Sequence, residues 1–212
     1  MSAAELFTLA GIGGYLLGSI PFGLVLCYLA GYGDIRKIGS GNIGATNVLR
    51  TGNKLLALLT VILDASKAGL AAYAAKAWCP DAPYQLFGSA TTVAELAALI
   101  AGTGAILGHN FPVWLKFKGG KGVASAFGFV LVLNPQIALL ALLIWLVMAF
   151  LFRYSSLSAI TAVFFVPFLT YYMSDAVHTV FYTFIVFLIL VRHHANFVRL
   201  FKGEESKIKF KK

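Results

Sequence analysis

The feature that most constrains this sequence is the placement of its cationic residues between long apolar segments. Every lysine and arginine except Lys67 and Lys76 lies in a segment that follows the first, third, fifth or last apolar run. Loops of membrane proteins that are rich in lysine and arginine remain on the cytoplasmic side. The alternation therefore predicts a chain that crosses a membrane several times and keeps its basic segments on one face.

The composition of the chain favours the same conclusion. Apolar residues make up 59% of the 212 residues, whereas soluble domains contain about 45–50%. The formal net charge of +9 would suggest nucleic-acid binding in a soluble protein, but no nucleic-acid-binding module is recognisable here. We therefore expect the positive charge to face anionic membrane lipid, and we expect no nucleic-acid partner.

Seven apolar runs have the length and composition of helices. They cover residues 5–30, 55–78, 86–108, 119–133, 136–151, 156–173 and 177–191. The sequence thus predicts an all-α integral membrane protein of about seven transmembrane helices, with the N-terminus outside and the C-terminus in the cytoplasm. We expect a single membrane-embedded domain over 1–212. Glu5 and the lack of a basic residue before the first run are not typical of a cleaved signal peptide, so the first span should be retained.

The fourth and fifth runs leave an alternative open. Both are shorter than the ~20 residues that cross a bilayer perpendicularly. Asn134-Pro135 must separate them, because proline disfavours helix in the residue before it. In the alternative, 119–133 and 136–151 form a re-entrant pair and the chain has five spans.

Three charged residues, Asp64, Lys67 and Glu95, lie well inside the apolar runs rather than near their ends. Asp64 and Lys67 are three residues apart, so they share a helical face and can pair. Glu95 lies in the third run, where we expect it at mid-membrane depth. Because charges at this depth are costly and face the bundle interior, a structural ion pair is favoured over catalysis for all three residues.

The segment 39–50 combines glycines, hydroxyls and amides with one arginine. Glycine lets the backbone approach a ligand closely, and hydroxyl and amide groups add hydrogen-bond donors. We expect a helix to begin at Ala45 and run to Leu59, which would place the loop at a helix N-terminus that attracts anions. An ordinary turn with a helix cap is the alternative, but it needs fewer such residues. The candidate phosphate ligands are Gly39, Ser40, Gly41, Asn42, Gly44, Thr46, Asn47 and Arg50.

The segment 108–124 contains a second candidate, in which Gly119, Gly120 and Gly122 surround Lys121. The pattern predicts backbone donors exposed beside a cation. It lacks the spacing and the following hydroxyl of a Walker loop. His109 at its start is as well suited to a buried hydrogen-bonding role as to ligand binding.

A third group joins Ser156 and Ser158 to His193 and Asn196. The last two are spaced to share a helical face, and a histidine beside phosphate-binding groups can act as a general base or a phosphate partner. Carboxylates are scarce in the basic segments, so we expect neither a metal site nor a cofactor. The sequence also lacks a Gly-x-Ser-x-Gly nucleophile elbow. These residues therefore predict metal-free binding of phosphate-bearing substrates.

Three segments resemble the signature motifs of a known family. They read GSGNIGATNVLR at 39–50, GHNFPVWLKFKGGKGVA at 108–124 and RHHANFVRLFKGEE at 192–205. The stretches YLLGSIPFG at 15–23 and LDASK at 63–67 are similar as well. Over nearly its whole length, the chain resembles the PlsY family, the acyl-phosphate-dependent glycerol-3-phosphate acyltransferases of bacteria.

The resemblance implies an enzyme with seven helices in the bacterial inner membrane and an active site on the cytoplasmic face. It implies transfer of a fatty acyl group from acyl phosphate to the 1-hydroxyl of glycerol 3-phosphate. The product would be lysophosphatidic acid, made in the first acylation step of phospholipid synthesis. A separate enzyme would supply the acyl phosphate, and no cofactor or metal is implied.

The resemblance also implies roles for single residues. Ser40 and Arg50 would belong to the phosphate site of the first motif, and Lys121 with its glycines to the glycerol-3-phosphate site. His193 and Asn196 match the functional pair of the third motif. The implied structural residue is Glu205, and the implied catalytic set is Ser40, Arg50, Lys121, His193 and Asn196. We expect the three motifs to act on the same pair of phosphorylated substrates.

The chain departs from the family in the segment after the fifth run. The family reads Arg-Tyr-x-Ser-Leu-(Ala/Gly)-Ser, whereas here Ser158 and Ala159 follow Leu157. The second hydroxyl has therefore moved back by one position. Either Ser158 substitutes for it or Ser156 suffices.

These residues suggest direct acyl transfer, because an acyl phosphate already carries a good leaving group and the enzyme mainly positions two substrates. The hydroxyl proton could pass to His193 or to a substrate phosphate. The rival function is an anion channel or transporter with a phosphate-selective cytoplasmic site. A channel should carry polar loops at mid-membrane depth or on both faces, whereas here they fall on one face.

Overall fold

A computed structural model of the chain describes residues 1–208, which fall into two compact units. The first unit covers Met1–Leu133 and the second begins at Asn134. The first contains α1 (Ala3–Gly18), α2 (Phe22–Leu29), α3 (Ala45–Val48), α4 (Lys54–Trp78), β1 (Pro83–Leu86), β2 (Ser89–Thr92), α5 (Val93–Asn110) and α6 (Val123–Leu133). The second contains α7 (Pro135–Phe152), α8 (Ser155–Met173), α9 (Ala176–Arg192) and α10 (His194–Phe201). The cations Lys209, Lys211 and Lys212, which we expect in the cytoplasm, lie outside the described residues.

The first unit is built around α5, which is almost entirely buried and packs against both α1 and α4. Glycines make the contact with α1 unusually close. A Cβ atom at Gly18 would lie 2.0 Å from the carbonyl oxygen of Ala105, and one at Gly108 would lie 2.1 Å from that of Tyr15. Small residues bring helix backbones together in membranes, where close packing replaces the hydrophobic effect as the source of helix association.

The first apolar run is broken, whereas the sequence predicted one helix over 5–30. Helix α1 ends at Gly18, and α2 begins after Pro21. Proline has no backbone N–H to donate and disfavours helix in the residue before it. At the break, the Ser19 hydroxyl donates to the carbonyl of Tyr15 at 2.8 Å, so the end of α1 keeps a hydrogen bond.

A β-hairpin occupies the start of the third predicted helix, so the expected boundary at 86 and the all-helical prediction are wrong for this segment. Strands β1 and β2 pair antiparallel, with Leu86 opposite Ser89. Phe87 and Gly88 between them both have positive φ, at 50° and 81°, as in the tight turns that suit hairpin twist. Helix α5 starts only after Thr92, whose side chain accepts a hydrogen bond from the N–H of Glu95.

Two further boundaries differ from the prediction. The helix expected over Ala45–Leu59 is interrupted at Gly52, whose φ is +85°, and α4 starts afresh after Asn53, whose side chain caps it. The helix expected from Gly119 begins at Val123, because the glycine segment before it is irregular. The predicted separation at Asn134-Pro135 is confirmed, since α6 ends at Leu133 and α7 begins at Pro135.

In the second unit, α8 packs against both α7 and α9. Asn134, just before α7, links the start of this unit to α9 and to the end of α8: its side chain accepts from the hydroxyl of Tyr182 at 2.6 Å and donates to that of Ser174 at 3.3 Å. At His193 the chain turns by 54° between α9 and α10. This bend places His193 at a helix junction.

The described residues contain five helical segments that are long and apolar enough to cross a membrane, or six if α9 and α10 form one bent span. Helix α6 has 11 residues, fewer than the ~20 of a perpendicular span. The chain is thus a mainly helical membrane protein, and the count of seven spans stays a prediction.

Candidate active-site residues

The first-motif loop is organised by the buried side chain of Asn47. Its amide nitrogen donates to the carbonyls of Ile35 and Asn42, each at 2.8 Å. Its amide oxygen accepts from the backbone N–H of Ser40 at 3.0 Å and from the Ser40 hydroxyl at 3.3 Å. In this structure the Asn47 amide therefore holds the loop together, whereas the sequence suggested that it faces phosphate.

Several backbone donors of the same loop also bond within the protein. The N–H of Gly41 donates to the carbonyl of Ile38 at 3.0 Å, and that of Gly44 donates to the side chain of Asn42 at 3.0 Å. Gly39, Ser40, Gly41 and Thr46 nevertheless lie exposed. The loop is therefore an exposed surface that its own hydrogen bonds hold in place.

Arg50 lies over this loop and is itself exposed. Its side chain passes so close to Gly39 that a Cβ atom there would lie 2.3 Å from the guanidinium nitrogen Nη1. The φ of Gly39 is +54°, a conformation that also favours glycine. Ser40 and Arg50, the two residues assigned to the first phosphate site, are thus neighbours across Gly39.

The second-motif loop is tied to the end of α5. The N–H of Gly119 donates to the carbonyl of Asn110 at 3.2 Å, and that of Gly120 donates to the carbonyl of His109 at 2.9 Å. The expectation that these two glycines present their N–H groups to a ligand is therefore wrong for this structure. Their lack of a side chain serves packing, because a Cβ atom at Gly120 would lie 2.0 Å from Nε2 of His109. Gly122 has a φ of +87°, and Lys121 between them is partly exposed.

Asp64 and Lys67 form the predicted ion pair, with 2.9 Å between Nζ and Oδ1. Both side chains are almost fully buried. The Lys67 ammonium also lies 2.9 Å from Nδ1 of His109 and donates to the carbonyl of Ile20 at 3.0 Å. His109 is thus a buried hydrogen-bonding residue, the first of the two roles that the sequence left open.

Glu95 is paired, but not where the sequence placed it. It lies in the first turn of α5 and forms an ion pair with Lys76 near the end of α4. The expectation of a mid-membrane position is wrong because the hairpin takes up the start of the predicted helix. The structural interpretation holds, since the pair joins two helices.

In the second unit, Glu205 binds three side chains. Its Oε1 accepts from the hydroxyl of Ser156 at 2.7 Å and from the amide of Asn196 at 2.8 Å. Its Oε2 accepts from Nε of Arg199 at 2.6 Å. Burial alone would raise the pKa of the Glu205 carboxyl, but these hydrogen bonds and the charge of Arg199 outweigh it, so that its pKa lies below the ordinary value. These contacts fit the structural role expected for Glu205.

The other candidates of this unit are also bonded internally. The hydroxyl of Ser158 is buried and donates to the carbonyl of Tyr154 at 2.8 Å. Nδ1 of His193 lies 2.7 Å from the carbonyl of Ile189. A carbonyl can only accept, so Nδ1 carries the proton, and Nε2 is the basic nitrogen of the neutral ring. Phosphate binding by Ser156 or Ser158 stays a prediction, and it requires their hydroxyl groups to exchange their present acceptors.

Sequence reasoning missed Arg199 as the partner of Glu205 and Lys67 as the partner of His109. The first lies six residues from Glu205, a spacing that predicts no helical pairing. The second is 42 residues from His109, and the only sequence signal for it is the cost of burying a charge. Among residues 1–208, no group of three or more His, Cys, Asp and Glu side chains lies close enough to hold a metal ion.

Comparison with known proteins gives a family match over nearly the whole chain. The family model named Glycerol-3-phosphate acyltransferase matches residues 8–203. A glycerol-3-phosphate acyltransferase of Mesorhizobium japonicum is 52% identical over 200 residues, which cover 94% of this chain and 95% of the relative. One of Rhodospirillum rubrum is 50% identical over 201 residues, which cover 95% of this chain and 90% of the relative.

Two solved structures are similar over 99% of this chain and 96% of the other. Both are of PlsY (YgiH), an integral membrane glycerol 3-phosphate acyltransferase. The glycerol 3-phosphate form gives a TM-score of 0.82 at 37% identity. The lysophosphatidic acid form gives a TM-score of 0.80 at 36% identity.

Proposed function

The chain belongs to the glycerol-3-phosphate acyltransferase family, and we propose that it transfers a fatty acyl group from an acyl phosphate to the 1-hydroxyl of glycerol 3-phosphate. The products are lysophosphatidic acid and inorganic phosphate. The observation that carries this proposal is the likeness to an integral membrane acyltransferase solved in glycerol 3-phosphate and lysophosphatidic acid forms. These two ligands differ by one acyl group, as the acceptor and the product of one acylation must.

The donor proposal rests on chemistry. An acyl phosphate is a mixed anhydride, so the hydroxyl oxygen of glycerol 3-phosphate can attack its carbonyl carbon directly. A new C–O bond forms, the C–O bond to phosphate breaks, and the bonding pair leaves with the phosphate. The protein must hold two anions close together and stabilise the charge on phosphate oxygens, and positioning alone can contribute about 7–11 kcal/mol.

We propose that Lys121 binds the phosphate of glycerol 3-phosphate and that Arg50 and Ser40 bind the other phosphate. Arg50 suits a phosphate because its guanidinium can donate two parallel hydrogen bonds. Its exposure and its position over Gly39 support this role. Lys121 supplies a cation at the end of a segment fixed to α5.

We propose that His193 takes the proton from the attacking hydroxyl. The contact between its Nδ1–H and the carbonyl of Ile189 supports this, because it leaves the basic lone pair on Nε2. Asn196, which lies four residues beyond the end of α9, is bound to Glu205, and this contact favours a role in ordering the third motif.

We propose further that the two units act as one enzyme in the bacterial inner membrane, as a single domain over 1–212. The N-terminus would lie outside, with seven spans and the active site on the cytoplasmic face. The distribution of lysine and arginine supports this orientation. A separate enzyme would supply the acyl phosphate.

The proposal is tested with purified protein, glycerol 3-phosphate and palmitoyl phosphate, with lysophosphatidic acid detected by chromatography. We expect product with palmitoyl phosphate, none with palmitoyl-CoA, and the same rate with and without a chelator. Lys121→Ala should lose turnover, whereas Lys118→Ala, an exposed cation of the same segment, should retain it. Product from palmitoyl-CoA alone would overturn the donor proposal.

The channel alternative gains no support from a family match to acyltransferases. It predicts phosphate flux through vesicles that contain the protein, without lysophosphatidic acid. Product formation without flux would exclude it.

A further inference from the structure

The buried ammonium of Lys67 has three close polar neighbours. It lies 2.9 Å from Oδ1 of Asp64, 2.9 Å from Nδ1 of His109 and 3.0 Å from the carbonyl oxygen of Ile20. A lysine ammonium has three hydrogens and no lone pair. Two of these neighbours lie in hydrogen-bonding geometry and Asp64 is the ion-pair partner, and the cluster joins α4, the break between α1 and α2, and the end of α5.

The contact between Lys67 and His109 constrains the protonation of His109. A hydrogen bond from the ammonium to Nδ1 requires Nδ1 to carry no proton and places the ring proton on Nε2, whereas a proton on Nδ1 would point to Oδ1 of Asp64, 3.5 Å away. The ring is then neutral, and the charges of Asp64 and Lys67 cancel. A cluster without net charge is the form that burial disfavours least.

His109 connects this cluster to the segment that carries Lys121. Its carbonyl accepts from the N–H of Gly120 at 2.9 Å. Its ring lies against the same glycine, since a Cβ atom at Gly120 would lie 2.0 Å from Nε2. The next residue is Lys121, so the orientation of the His109 ring fixes the backbone from which Lys121 projects.

We propose that Lys67 and His109 are positioning residues for Lys121: the ammonium holds the His109 ring by Nδ1, and the ring holds Gly120. The inference rests on the proposed function, in which Lys121 binds the phosphate of glycerol 3-phosphate. Displacing the ring should therefore weaken the binding of one substrate while leaving the other site intact.

The first experiment compares Lys67→Met with Lys76→Met. The control removes the ion pair of Lys76 and Glu95, which lies between the same two helices at the opposite end of α5 from His109. For Lys67→Met we expect the KM for glycerol 3-phosphate to rise by about tenfold to a hundredfold, the effect of losing an orienting partner. The KM for palmitoyl phosphate should change by less than about twofold, and Lys76→Met should leave both values unchanged.

A second variant guards against misfolding, because Lys67→Met leaves the carboxylate of Asp64 buried without a counter-charge. Asp64→Asn combined with Lys67→Met removes both charges, and it should show the same selective rise in KM. Equal rises in both KM values, or none, in a folded variant would overturn the inference. If the wild-type protein makes no lysophosphatidic acid, the proposed function fails instead.

Nitrogen-15 NMR of histidine-labelled protein tests the same inference without turnover. The His109 signals are assigned by their loss in His109→Asn. We expect Nδ1 of His109 without a proton and Nε2 protonated in the wild type. A proton on Nδ1 would contradict the proposed hydrogen bond from Lys67 and overturn the inference.

Discussion

Replacing Glu205 with alanine should destabilise the second unit more than replacing any other carboxylate among its described residues. The substitution removes the shared acceptor of Ser156, Asn196 and Arg199. The carboxylate belongs to the segment after α10, so its loss acts on the packing of that segment against the start of α8.

The magnitude follows from the burial of the three donors. Ser156 and Asn196 are 7% and 3% exposed, and a buried donor left without an acceptor costs about 1–3 kcal/mol. The side chain of Arg199 is 35% exposed, so water can replace its partner and the loss there is about 0.2–1 kcal/mol. The sum predicts a loss of about 4 kcal/mol, most of it from the two buried donors.

The measurement is thermal unfolding of purified protein in detergent, together with the rate of lysophosphatidic acid formation. Glu204→Ala is the matched control, since Glu204 is an exposed neighbour of the same charge. Glu205→Gln should lie between the two, because it keeps an oxygen for Ser156 and Asn196 but turns an amide toward Arg199. Equal unfolding temperatures for Glu205→Ala and Glu204→Ala would refute the reasoning.

Four further predictions concern the pKa of Glu205, the contact of Gly39, the role of His193 and the orientation of the chain. The pKa of Glu205 is lowered in the folded protein, so its ionised carboxyl should stabilise the fold fully above the unfolded pKa of about 4.3. This stabilisation should disappear as the pH falls through the lower pKa of the folded protein. The difference in unfolding temperature between the wild type and Glu205→Gln should therefore narrow on acidification. Gly39→Ala should displace Arg50 and lower turnover at least tenfold, which corresponds to about 1.4 kcal/mol. The control is Gly33→Ala, because Gly33 has a similar φ of +67° but no neighbouring atom within 4 Å, so that this variant shows the effect of backbone strain alone. Similar turnover in both variants would refute a role for the contact between Gly39 and Arg50. His193→Gln should lower kcat by about 10²–10⁴-fold, with a smaller change in either KM. An unchanged kcat would mean that a substrate phosphate, and not His193, accepts the proton from the attacking hydroxyl. A tag at the C-terminus should be cleaved by protease only in inside-out membrane vesicles, and cleavage in right-side-out vesicles would reverse the proposed orientation.

The sequence predicted well those features that depend on local spacing. The pairing of Asp64 with Lys67 follows from a separation of three residues on one helix. The separation of α6 from α7 follows from the restriction that Pro135 places on Asn134. In each case the cause lies within a few residues of the effect.

The sequence pattern could not predict features that depend on contacts between residues far apart in the chain. The hairpin before α5 has no apolar alternation strong enough to separate it from a helical run, and its presence moved Glu95 to a helix end. The same limit applies to Asn47, because an amide suits a ligand and a backbone carbonyl equally well, and only the fold brings Ile35 within reach. The glycines of the second motif were likewise assigned to ligand contact, although the structure uses Gly120 to admit the ring of His109.

The glycine-lined contact between α1 and α5 has a consequence for how the first unit responds to bilayer thickness. Membrane helices adjust to a thinner or thicker bilayer by tilting, and the lipid deforms to make up the rest. Each of these two helices has carbonyl oxygens where a side chain of the other would lie, so neither can slide along its neighbour without a collision between backbones. The two should therefore tilt as a rigid pair, and lipids of short acyl chain should change the angle of both helices together rather than their register.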